Sequence, residues 1–113
     1  MKRLFLPVLL LLPLSSQAAE TVTITAEQWA RPRTAEAVLA FPGLGPLLEE
    51  FERAPDSRIV IRHGGDDEAV LWVEELRSWL VALGVPAARI RLQADLATAE
   101  HVLLDARARG SEP

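Results

Sequence analysis

The 113-residue chain has no cysteine, a single lysine (Lys2), and only three Trp and three Phe. The missing cysteine excludes a disulfide scaffold, a thiolate zinc site, a thiol nucleophile and a lipid-modified N-terminal cysteine. Positive charge is also scarce: the formal net charge is −4, which excludes a nucleic-acid binder that works by bulk basicity. Catalytic signatures are lacking too. There is no Gly-x-Ser-x-Gly and no Walker pattern with its lysine, and beyond residue 18 the serines are Ser57, Ser78 and Ser111. His101 has no identifiable orienting carboxylate, and no paired groups suit acid–base work, so no enzyme is expected. The length allows one domain at most.

What is present begins with an address. Met1-Lys2-Arg3 is basic, Leu4 to Leu14 is apolar apart from Pro7 and Pro13, and Ser16 and Ala18 are small. That order is the pattern of a secretory signal peptide. The apolar run is about 11 residues, short of the ~20 that a spanning helix needs. Cleavage is expected after Ala18, leaving residues 19–113 with 10 Arg against 16 Asp and Glu, a net of −6. No other segment could span a membrane. The product is expected to be soluble, free of stable membrane insertion and periplasmic.

Along the remainder, Thr21 to Thr25 alternates β-branched residues and reads as a strand, with an extension toward Trp29 left open. Arg31-Pro32-Arg33-Thr34 is a break. Ala35 to Ala40 fits either a helical turn or a short strand. Pro46 suits the first turn of a helix reaching about Arg53, with Leu44, Leu47, Leu48 and Phe51 on one face. Arg58 to Arg62 is the clearest strand, with Ile59 and Ile61 sharing a face.

His63 to Asp67 is a loop in which Asp66 or Asp67 caps the next helix. Three acids at that helix start oppose an anion on Gly64-Gly65, and adjacent acids with His63 lack the ligand spacing of a calcium loop. No metal or cofactor is expected. The helix reaches about Leu83, with Val70, Val73, Leu76, Leu80 and Leu83 as its core stripe and Gly84 just past its end. Ile90 to Leu92 is a third strand, Asp95 to Glu100 a loop or helical turn, and His101 to Asp105 the last strand. Ala106 to Pro113 reads as a frayed tail. The order is β-α-β-α-β-β, a small α/β (α+β) domain with a βαβ unit at its centre.

Four pieces of this pattern are similar to the OmpA-like C-terminal domain, a peptidoglycan-binding module of bacterial envelopes. Ala37-Val38-Leu39 with Pro42, leading into Leu44 to Phe51, resembles the family's first strand end and first helix. Arg58 to His63 resembles its central strand, with Arg62-His63-Gly64-Gly65-Asp66 at its "GHTD" loop. Leu76 to Gly84 resembles the end of its second helix, and Gly84 to Ile90 the connector that follows. The resemblance implies a two-layer sandwich over residues 37–105, preceded by a strand and linker at 19–36 and followed by a flexible tail at 106–113. It also implies a site that grips a diaminoacid through an Asp after the central strand and an Arg on the next helix. Asp66 or Asp67 matches the Asp. The family's Arg position falls on Trp72, Arg77 lies about one and a half turns further on, the loop is about four residues shorter, and the family's Asn has no counterpart.

Trp72 and Trp79, seven apart, widen the apolar face of the same helix beyond half its circumference. Such a face is either buried on two sides or offered to a partner, with Arg77 nearby. The expectation is therefore an exported, non-enzymatic accessory protein of a bacterial envelope assembly, contacting an envelope protein partner through Trp72 and Trp79. The alternative is a peptidoglycan binder that uses Asp66, Asp67 and Arg77. A small envelope hydrolase or metal-dependent enzyme is the third reading.

Overall fold

In the computed structural model, which describes residues 20–108, strand β1 (Val22–Thr25) stops where Thr25 turns from strand residue to cap. Its hydroxyl accepts from the Gln28 N–H (3.1 Å), and the Gln28 side-chain oxygen accepts from the Thr25 N–H (2.9 Å). This reciprocal capping box starts one helical turn, α1 (Ala26–Trp29), and corrects the expectation of a strand running to Trp29. Thr34 caps the next turn one way only, its hydroxyl accepting from the Ala37 N–H, so α2 (Ala35–Leu39) is helical. A first-strand end at Ala37-Val38-Leu39 is not found; those residues are held in the capped turn. The leader expected at 1–18 and residues 109–113 lie outside the described residues.

Helix α3 (Leu44–Arg53) begins two residues before Pro46 and buries Leu44, Leu47 and Phe51. Strand β2 (Ser57–Gly64) follows, then α4 (Asp67–Ala82), capped by the Asp66 carboxylate on the Ala69 N–H (2.7 Å). Gly84, at φ +107°, ends α4 as expected. The Val85 N–H reaches the Leu80 carbonyl and the Gly84 N–H reaches that of Val81, a Schellman closure that a side chain at Gly84 would strain. A 3₁₀ turn (Ala87–Arg89) leads into β3 (Ile90–Leu96), which is longer than Ile90 to Leu92, and β4 (His101–Ala108) completes the chain of elements. The tail expected from Ala106 is strand as far as Ala108, because Ala106, Arg107 and Ala108 pair with Ile59, Arg58 and Ser57.

The four strands form one mixed sheet in the order β1-β4-β2-β3. β4 is antiparallel to both of its neighbours, and β2 runs parallel to β3 across the α4 crossover. The N-terminal strand β1 is one edge of this sheet. Gly64 lets the chain pass close to the loop between β3 and β4: a Cβ there would lie 2.6 Å from the Thr98 carbonyl oxygen.

Alternate strand residues, among them Ile24, Ile59, Ile61 and Leu104, meet Val38 of α2, Leu44 and Leu47 of α3, and Val73, Leu76 and Leu80 of α4 in one core. Each such buried aliphatic side chain contributes ~1.5–3 kcal/mol relative to exposure. The four α-helices all supply this same cluster, so among the described residues the fold has two layers, with helices on one face of the sheet and none on the other. One predicted core residue is displaced. Val70 is 39% exposed, because α4 turns inward about the line of Ala69, Trp72, Val73, Leu76 and Leu80. At 100° per residue that line lies away from Val70.

Candidate functional site

The residues singled out from the sequence do not converge. Asp66 is engaged as the cap of α4, and Asp67 sits exposed in the first turn, where its charge favours the helix dipole. Arg77 is eleven residues beyond Asp66, about 16 Å along the helix axis at 1.5 Å per residue. Its guanidinium lies 3.9 Å from Glu74, so it does not share a ligand-sized space with Asp66 or Asp67. Trp72 is buried at 8% exposure, its ring stacked on Trp29 at 6.0 Å, and Trp29 stacks in turn on Phe41 at 6.0 Å. The Trp72 indole Nε1 is buried without a hydrogen-bond partner. Trp79 is half-buried and packs on the margin of the core. The exposed apolar surface of α4 is Val70, Leu71 and Val81, with Leu71 the most open at 73%.

His63 is buried near the end of β2, its Nδ1 2.7 Å from the Gly64 carbonyl oxygen. Among the described residues no three His, Asp or Glu side chains gather to hold a metal ion.

Charged side chains gather instead on the sheet face opposite the described helices. Ile59 and Ile61 point to the core, so Arg58, Val60 and Arg62 point the other way. The register sets Arg91 of β3 and Asp105 of β4 opposite Val60, and Arg107 opposite Arg58. Val60 is fully buried on this face, and no helix among the described residues supplies its cover. Four arginines thus surround one valine.

Carboxylates answer Arg62 and Arg107. The Arg62 Nε–H is shared between the Asp95 oxygens at 3.0 and 3.1 Å, and the Gln93 amide adds a bond of 2.8 Å. Hydrogen bonding to Arg62 holds the Asp95 carboxyl below the usual carboxylate range, with Gln93 assisting and partial desolvation opposing. Asp105 accepts from the Thr21 hydroxyl and from Arg107 (3.4 Å) along its own strand. Arg58 has no such carboxylate among the described residues. The opposite, helical side of the molecule is acidic: α3 carries Glu49, Glu50 and Glu52, and α4 begins with Asp67 and Glu68 and adds Glu74. A chain of net −4 has therefore sorted its charge between two sides.

A second feature lies beside the Trp29 stack. The turns of α1 and α2 enclose an open recess of about 380 Å³ around Gln28, Arg31, Arg33 and Phe41. Arg33 is committed there: it forks onto Glu75 of α4, donates to the Trp29 carbonyl (2.6 Å) and lies 4.8 Å over the Trp29 ring.

Sequence reasoning paired Ile59 with Ile61 without following their complement. The signal was the period-two set Arg58, Val60, Arg62, but only the pairing register adds Arg91 and Arg107 to it. Compared with protein families, with curated proteins and with solved structures, the chain matches none of them.

Proposed function

We propose that this chain is an exported, non-enzymatic binding domain of a bacterial envelope assembly, and that it docks an acidic protein surface on the helix-free face of its sheet. The observation that carries the reading is the ring of Arg58, Arg62, Arg91 and Arg107 around the buried Val60. Guanidinium groups are the cations best suited to carboxylate contacts at interfaces, because they are planar, forked and weakly hydrated. The negative net charge gives no long-range attraction for a polyanion, so a local acidic patch on a protein is the better match. The envelope assignment rests on the leader-like order of residues 1–18 and on the OmpA-like resemblance of the sequence. Recognition through Trp72 is set aside in this reading, since its ring serves the core stack.

The test is retention of an acidic protein from a Gram-negative envelope extract on the immobilised domain. Retention should fall steeply with salt and disappear in the charge-reversed Arg58→Glu/Arg107→Glu protein, with circular dichroism unchanged. Salt-independent retention, or equal retention by the variant, overturns the docking face. Co-sedimentation with insoluble peptidoglycan that is lost in Asp66→Ala would favour the peptidoglycan reading instead.

A further inference from the structure

We propose that the recess between α1 and α2 is a binding site for a small ligand with one carboxylate on an apolar body. The inference rests on the recess alone and is independent of the sheet face. Three features define the ligand class. The first is charge: Arg31, Arg33 and Gln28 line the recess, and no Asp or Glu does, in a chain that holds 16 of them.

The second is the state of those donors. Arg33 is neutralised by Glu75 and fixed over Trp29, so it forms wall more than ligand contact. Arg31 is exposed, and no carboxylate or carbonyl among the described residues engages its guanidinium. Gln28 spends its oxygen on the capping box, which leaves the two N–H bonds of its amide unspent. The free side-chain groups are thus a forked cation and an amide donor, a set that complements one carboxylate. A dianionic phosphate would find only a single uncommitted charge.

The third is the floor. Phe41, Pro32 and Pro42 supply rigid apolar surface, and Phe41 is backed by Trp29 and then Trp72 in a continuous stack. A volume of about 380 Å³ lies at the lower end of small-molecule sites, which suits an aryl or branched acyl acid and excludes bulky cofactors. Such a carboxylate could belong to a free small acid or to the C-terminal residue of a peptide. Both present the same group to Arg31.

The stack provides its own reporter. Titrating the full chain with benzoate, with 4-methylpentanoate, and with a short peptide ending in leucine should change tryptophan emission saturably, with Kd on the order of 0.1–10 mM for ligands of this size. The Gln28 side-chain amide resonances should shift over the same range. Arg31→Gln should weaken binding at least about ten-fold, the loss of one charge-assisted contact, and Arg31→Lys should restore it only in part. Tighter binding of the free acids assigns a small-acid site; tighter binding of the peptide, lost on C-terminal amidation, assigns a peptide-end site. Silence of both emission and amide resonances, equal binding by Arg31→Gln, or tighter binding of inorganic phosphate than of benzoate overturns the proposal.

Discussion

The Arg89 guanidinium lies 3.8 Å from the centre of the Phe51 ring, joining the 3₁₀ turn before β3 to the last turn of α3. The same group donates to the Ser57 carbonyl at 2.9 Å and to the Ala54 carbonyl at 3.0 Å, the two ends of the connector between α3 and β2. Its role is structural. Arg89→Ala should lower unfolding free energy by about 1–3 kcal/mol, since charged donors to carbonyls and a stacked cation are lost together. Arg89→Lys should not recover the loss, because an ammonium cannot make the fork and lie flat on the ring. Urea denaturation of the three proteins checks this.

The Arg62–Asp95 pair sets a direction for pH dependence. The Asp95 carboxyl is depressed in the folded state, so the pair's contribution is present at neutral pH and is lost as pH falls below the usual carboxylate range. Melting temperatures of the native chain and of Asp95→Asn should differ at pH 7, with the native chain higher, and should converge as pH is lowered toward 3. The gap should be small, because the pair is open to solvent on both sides.

Trp72 separates packing from hydrogen bonding. Trp72→Ala removes the ring by which α4 joins the Trp29–Phe41 stack and should cost about 3–5 kcal/mol. Trp72→Phe keeps a ring against Trp29 and deletes the unpartnered indole N–H, so it should cost far less, with any cavity penalty offset by the ~1–3 kcal/mol of a buried donor no longer left unmade. Guanidinium unfolding distinguishes the two. Acrylamide should quench Trp79 more readily than Trp72.

A stop after Asp105 tests the length of β4. Ala106 to Ala108 pair with Ile59 to Ser57, and Ala106 packs against the core. Their removal should destabilise the fold by about 2–5 kcal/mol, from several ladder bonds and the exposed end of β2. A tail would have been removable without effect. Thermal unfolding of the shortened chain supplies the answer.

Local signals read well wherever the cause is local. Asp66 three residues before the first buried position, the spacing of Val73, Leu76 and Leu80, and Gly84 beyond the last turn each depend on neighbours a few residues away. Where the cause is distant, the reading failed. Whether α4 turns Trp72 or Val70 inward depends on Trp29, more than forty residues earlier. The last strand continues through Ala106-Arg107-Ala108, a stretch with low strand propensity, because β2 offers it a ladder partner. Thr25 and Gln28 did carry a capping-box spacing, but the run of β-branched residues before them outweighed it. The arginine face was half visible in Arg58 and Arg62. Arg91 and Arg107 come from two other strands, and only the register places them beside Val60.

The strand order has a consequence in time. β4 is the last described strand in sequence yet sits between β1 and β2, so until it is available β1 has no place in the sheet and β2 stays unpaired along one edge. Val22 waits for a partner 82 positions away, Leu104. Only the β2-α4-β3 unit can assemble early, and one edge of β2 then lacks its neighbour. Such non-local closure is slow, and the incomplete sheet exposes an unpaired edge rich in Ile and Val. The full sheet therefore closes only with its C-terminal strand, and residues 101–108 act as its latch.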